Sequence, residues 1–256
     1  MLEKNTLLKR LHERLASTAA FRRIADLRVG LSYVGIQLDD GAAGIAALLP
    51  DGSPRGCTVL KEAGTYAGAP AEEALGHLVY GRDPLRRAIG LAAANALVGP
   101  PPDQTEDREA TSTFGLQPGD KVAMVGLFAP LVERIRATGA SLTIIEKNPE
   151  RMDLLSEEEK RRALATCDVA IVTATTLLNA TFEETTALLG APRITALIGP
   201  STPLAPAVFS GTPVTHLGGA FVADAARVLQ IISEGGGTPA LRPHLRFVNL
   251  PVRPPG

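Results

Sequence analysis

The sequence predicts an α/β protein, a Rossmann-like parallel sheet preceded by a small α+β unit, and three observations carry that reading. In the second half, short apolar, β-branched runs at 121–125, 142–145, 169–172, 194–198 and 214–217 alternate with helical stretches at 130–138, 156–165, 181–189 and 221–234. Such runs suit strands buried on both faces of a doubly wound sheet. The first half instead reads strand, strand, short strand, helix, helix, the order of a small α+β unit. Between them, Gly99-Pro100-Pro101-Pro102-Asp103 opens a polar, Pro-rich stretch reaching Thr113, which divides 1–102 from 103–256.

Each element has a local reason. Leu7, Leu8, Leu11 and Leu15 fall at helical spacing with charges mostly between them, so an amphipathic helix runs to about Thr18. A helix of this kind packs on its own domain or on a twin subunit, which makes a homodimer an expectation. One strand is expected over 28–38, a turn at Asp39-Asp40-Gly41 and a return strand over 42–48. A loop follows at 51–55, then a third short strand over 57–60. Helices are expected at 71–80 and from Asp83 to about Leu97, the second with Pro84 at its first position. Further on, Thr181 and Glu184 have capping-box spacing and mark a helix start. The triple Gly235-Gly236-Gly237 stops the last helix.

Composition excludes several functions. Twenty-six basic residues against 27 acidic give a net charge of -1, so no electrostatic argument favours nucleic acid or an anionic membrane. Seven Phe, three Tyr and no Trp offer little surface for stacking bases. Charges interrupt each apolar run of the amino-terminal stretch, and no segment reaches the ~20 apolar residues that span a bilayer. Cys57 and Cys167 form no CxxC pair, so the expected setting is the reducing cytoplasm.

The residues able to carry chemistry cluster at strand ends. After 169–172 come Thr173, Thr175, Thr176, Asn179 and Thr181; after 194–198 come Gly199, Pro200, Ser201 and Thr202. Ligands of open parallel sheets bind outside the carboxyl ends of the strands. Small polar groups there point to a site working through hydrogen bonds and exposed amides. The same threonines also serve to cap helices and finish turns. Gly126 stands where a nucleotide-binding glycine loop would stand, but Phe128 and Pro130 crowd it and the run is not GxGxxG. Glu146 lies 20 residues beyond Gly126, the place of an acid that takes ribose hydroxyls in dinucleotide and S-adenosylmethionine enzymes. His216 is read at the end of the fifth strand, ahead of Gly218 and Gly219, whose bare backbone allows close approach. Asp168, at an amino end, is expected to bond nearby backbone. No HxxxH, paired Cys–His or GxSxG arrangement occurs, and no nucleophile or general base can be named.

TATTLLNATFE, IGPSTPL, LGGAFVAD and EGGG, together with RVGLSYVGIQLDDGAAGIA and AIGLAAANAL in the first half, resemble the bacterial and archaeal family named for heavy-metal chelation. The resemblance spans nearly the whole chain. It implies an enolase N-terminal-like domain before a Rossmann-like domain, with a site in the cleft between them. The residues it singles out are Gly126, Phe128, Glu146, Thr173, Thr175, Thr176, Asn179, Gly199 to Thr202, Gly218 and Gly219, and the capped start at Thr181 adds itself. Soft metals want clustered thiolates and imidazoles, which this chain does not offer. The expectation is therefore a small polar or anionic ligand, with any metal ion held through that chelating ligand. An S-adenosylmethionine- or dinucleotide-dependent enzyme and a non-catalytic interaction protein are the alternatives.

Overall fold

The computed structural model describes residues 6–49, 58–100 and 113–252. The expected boundary at 102/103, the loop at 51–55 and Cys57 lie outside them. The leading half holds α1 (Thr6–Ala19), then β1 (Ile24–Val29), β2 (Tyr33–Leu38) and β3 (Ala43–Ala47) as an antiparallel sheet, then α2 (Ala71–Tyr80) and α3 (Pro84–Val98). The single strand expected over 28–38 is two. It breaks at Gly30-Leu31-Ser32, where Gly30 N–H donates to Tyr33 O and Leu31 stands 82% exposed. Apolar alternation runs straight through this turn, so periodicity could not reveal it. The short strand expected at the end of the following loop is absent, because Thr58–Leu60 are irregular.

The helices of this half form as their ends dictate. Asp83 accepts from Arg86 N–H at the start of α3, with Pro84 in the first turn. The apolar stripe of α1, Leu7, Leu8, Leu11 and Leu15, is buried within the chain, in one core with α2 and α3. That face is spent internally.

The second half is a six-stranded sheet built from β4 (Lys121–Val125), α4 (Ala129–Ala137), β5 (Ser141–Ile145), α5 (Glu157–Thr166), β6 (Val169–Thr173), α6 (Thr175–Leu178), α7 (Phe182–Ala187), β7 (Ile194–Ile198), β8 (His216–Val222), α8 (Ala225–Ser233), α9 (Thr238–Leu241) and β9 (Leu245–Pro251). The order is β5-β4-β6-β7-β8-β9, with β9 antiparallel at the edge and the rest parallel. The five parallel strands thus run 2-1-3-4-5, the flavodoxin-like form of a doubly wound sheet and not the 3-2-1-4-5-6 order. Two helices differ from expectation. Phe221 and Val222 finish β8, so α8 starts only at Ala225, capped by Asp224. The helix expected over 181–189 shrinks to α7, with the short α6 before it.

Pleat alternation sends the sheet's two faces to two cores. Val125, Val172, Leu197 and Leu217 join the core of the leading half, whereas Val122, Met124, Val169 and Ile171 pack with Leu131 and Ile135 of α4. Polar clamps complete the seam between the sheets. Ala47 N–H donates to Ser201 Oγ at 2.8 Å, and Asn95 Nδ2 donates to Ile45 O at 2.8 Å and Ser201 O at 3.3 Å. The loop after β7 is thereby pinned to the free edge of β3.

Candidate functional site

Because β4 has β5 on one side and β6 on the other, the chain crosses over in opposite senses from it, and the carboxyl ends of β4 and β6 form the switch point, where doubly wound sheets have their ligand crevice. Two expected residues meet there. Gly126, at φ +84°, has no side chain where Thr173 stands: a Cβ would lie 2.9 Å from Thr173 Cγ2. Thr173 Oγ1 is 3.0 Å from Thr175 Oγ1, and both residues are half-buried at the rim. Gly199, after β7, borders the same rim, since Ala174 N–H donates to Ile198 O and Gly199 N–H to Gly218 O.

One short helix further, Asn179 ends α6. Its Oδ1 accepts from Thr181 Oγ1 at 2.7 Å, and between them Ala180 has φ +57°, the non-glycine positive φ among the described residues. The capping box expected at Thr181 does not form, because its hydroxyl is turned back to Asn179. With six residues, α7 also lacks the aligned peptides that would draw an anion to its start. Thr176 is buried, its hydroxyl donating to Thr173 O at 2.7 Å, so it braces α6 and does not face the rim.

Other expected residues serve packing. Ser201 and Thr202 are each 1% exposed, the first spent on the seam. Pro200, between them and Gly199, is half-buried. Gly218 and Gly219 do not lie in an open loop but inside β8. At Gly219 the space for a Cβ is filled by Leu204 and the carbonyl of Thr202, so its bareness admits the loop after β7 and no ligand. His216 opens β8 and does not end a strand. It sits at the far edge from the crevice, bonded through Nδ1 to Thr215 Oγ1 with Phe114 edge-on, and burial pushes its pKa down.

Glu146 is near the crevice but occupied. Oε1 accepts from the amides of Lys147 and Asn148, and Oε2 from Leu127 N–H and Arg151 Nη1. Burial works against its charge, yet these donors outweigh it and hold the carboxyl below its ordinary range. The loop after β4 is spent likewise. Gly126 N–H goes to Ile145 O, Leu127 N–H to Glu146 and Leu131 N–H to Phe128 O, while Pro130 has none. Only the amides of Phe128 and Ala129 remain for a ligand, with the half-buried Phe128 ring against the α4 core.

Among the described residues, no three His, Cys, Asp or Glu side chains gather as a metal site. Cys167 is buried, its thiol donating to Leu164 O and its pKa pushed up by burial. Asp168 bonds backbone as expected, accepting from Lys121 N–H. Two clefts lie away from the crevice, one of about 300 Å³ between α1 and α7 and one of about 530 Å³ beside Tyr66. Among the described residues no helix is long and apolar enough to cross a membrane. Nothing in their own spacing marks Asn95 and Arg87, the α3 residues that reach the loops after β7 and β6.

Fold and topology define a class: a mixed α/β protein with a largely parallel sheet, whose switch point carries threonine hydroxyls in place of a phosphate loop. The chain belongs to the DUF364 family, described as putative heavy-metal chelation, whose model matches residues 109–251; a second model of the same description, DUF4213, matches 12–98. It is similar to two solved structures of DUF364 proteins with unknown function. One, from Pyrococcus horikoshii, has TM-score 0.83 at 21% identity, covering 96% of this chain and 100% of that one. The other, from Desulfitobacterium hafniense, has TM-score 0.76 at 22% identity, covering 95% and 99%. An uncharacterized protein of Methanocaldococcus jannaschii is 25% identical over 152 residues, 57% of this chain; the match spans 59% of that relative's length.

Proposed function

We propose that this protein binds a small, polar, anionic molecule that itself chelates a metal ion, in the crevice rimmed by Gly126, Thr173, Thr175, Asn179 and Gly199. Residues 1–102 and 103–256 then act as two units closing on that crevice. The observation that carries this reading is the pair of threonine hydroxyls beside Gly126 at the β4/β6 switch point, the place where doubly wound sheets take ligands, with Asn179 one short helix further on. Family membership supports the chelate. The donor chemistry supports a ligand-held metal, because soft metals bind clustered thiolates and imidazoles and the described residues bring no such cluster together. A cofactor whose ribose needs Glu146 finds that carboxylate already holding four donors, which weakens the nucleotide reading.

Native mass spectrometry of the tag-free protein, with elemental analysis of the same sample, tests the proposal. The expected result is an added mass that leaves on denaturation and takes stoichiometric metal with it. Asn179→Ala should abolish that added mass. Full occupancy in this variant would refute the site assignment.

A further inference from the structure

We propose that Arg87 of α3 supplies the positive charge of the crevice and, with Asn179, grips a carboxylate or phosphate group of the ligand. This rests on the crevice reading above and adds to it a residue from the leading half. At the strand ends Arg151 is spent on Glu146 and Leu127 O, and the exposed Lys147 lies at the end of β5, on the side of β4 away from β6. A cation beside Asn179 therefore comes from elsewhere.

Helix α3 is placed to give one. Arg87, Leu91 and Asn95 recur every fourth residue and so share one stripe of the helix. Asn95, at one end, reaches the loop after β7 through Ser201 O, and Leu91 between them is fully buried. Arg87, at the other end, reaches the loop after β6: its Nη1 donates to Leu178 O at 2.9 Å and its Nε to Gly81 O at 3.2 Å. Leu178 O belongs to the peptide that joins Leu178 to Asn179, so the guanidinium lies beside Asn179.

Two donors are left there. Arg87 Nη2 and Asn179 Nδ2 have no hydrogen-bond partner among the described residues, and both residues are half-buried. The two bonds to carbonyls fix the plane of the guanidinium, so the free nitrogen is held in place before the ligand arrives. A planar guanidinium with an adjacent amide suits an oxyanion, and Arg is favoured over Lys where such geometry matters. The ligand class that follows is a polycarboxylate or phosphorylated chelator.

The test is calorimetric titration of the full chain with four probes: citrate, Ni(II)–citrate, inorganic phosphate and Ni(II) alone. The expected result is binding of at least one anionic probe that weakens as salt is raised. Arg87→Gln, which keeps an amide donor for Leu178 O, should weaken it about tenfold or more, as loss of a charged hydrogen bond does. Arg87→Lys should restore part of the loss. If Arg87→Gln stays within twofold of wild type while Asn179→Ala loses binding, the role of Arg87 is refuted and the crevice stands. If both variants stay within twofold, both readings fall. Binding by the wild type that ignores salt, or of Ni(II) alone and no anion, overturns the inference without any variant.

Discussion

Substituting Gly126 by Ala probes the geometry at the heart of the crevice. Two costs follow from its surroundings. An L-residue at φ +84° is strained by about 1–3 kcal/mol. The new methyl also lies 2.9 Å from Thr173 Cγ2 and 3.1 Å from Thr173 Cβ, an overpacking that costs about 1–3 kcal/mol. Their sum is about 2–6 kcal/mol, a large part of the stability of most domains. The second cost depends on Thr173 and the first does not. Thr173→Ser removes Cγ2, so in the Gly126→Ala background it should recover about 1 kcal/mol or more, whereas alone it should be neutral or mildly destabilising. Urea unfolding of the four proteins, compared at a common denaturant slope, yields the coupling as a double-mutant cycle. Additive effects would refute the contact between the ends of β4 and β6, and with it the crevice as described.

Three further outcomes bear on the frame. Ser201→Ala leaves Ala47 N–H without its acceptor at the seam, so it should cost about 1–3 kcal/mol in urea unfolding. Leu11→Ala empties a site only 1% exposed and should cost about 2–5 kcal/mol, whereas a helix free to serve a partner would lose much less. Glu146→Gln trades a carboxylate with four donors for an amide and should cost about 1.5–3 kcal/mol near neutral pH. The folded state holds the Glu146 pKa below its ordinary value, so its contribution is complete above that value and is lost as pH falls through the lowered one. The gap between wild type and Glu146→Gln in thermal midpoint should therefore close on acidification; a gap that stays unchanged as the pH falls through and beneath the ordinary carboxylate range would contradict the assigned donors.

Much of the frame was legible because its signals are local. Pro84 behind Asp83 marks the start of α3, and the run 121–125 is β4 residue for residue. Strands buried on both faces announce themselves as short apolar runs whatever lies beside them. The failures came where a tertiary neighbour overrode the pattern. Gly218-Gly219 reads as a loop, but Leu204 and Thr202 O fill the place of the missing Cβ, and the strand runs on. Likewise Thr181 and Glu184 are spaced as a capping box, yet the threonine hydroxyl finds Asn179 Oδ1 instead. Strand β9 escaped because an antiparallel edge leaves no mark of its partner in its own residues.

The crevice itself shows how far a half-motif can mislead. Glycine at the end of the first parallel strand and an acid at the end of the second are shared with nucleotide-binding sheets, and the chain places them as those sheets do. What differs is where the donors go. In a phosphate loop, successive backbone amides point outward at the ligand; here Leu127 N–H turns inward to Glu146, and Pro130 removes one more. The acid that would hold a ribose instead closes the loop that would hold a pyrophosphate. Each half of the motif neutralises the other, and under the proposed function recognition falls to the hydroxyls after β6. Removing the acid sharpens this argument into a prediction: Glu146→Gln should loosen the loop after β4, detectable as faster amide exchange at Leu127, without creating affinity for a dinucleotide. Tight dinucleotide binding by wild type would show that the inward amides can turn, and that the spent loop is not spent.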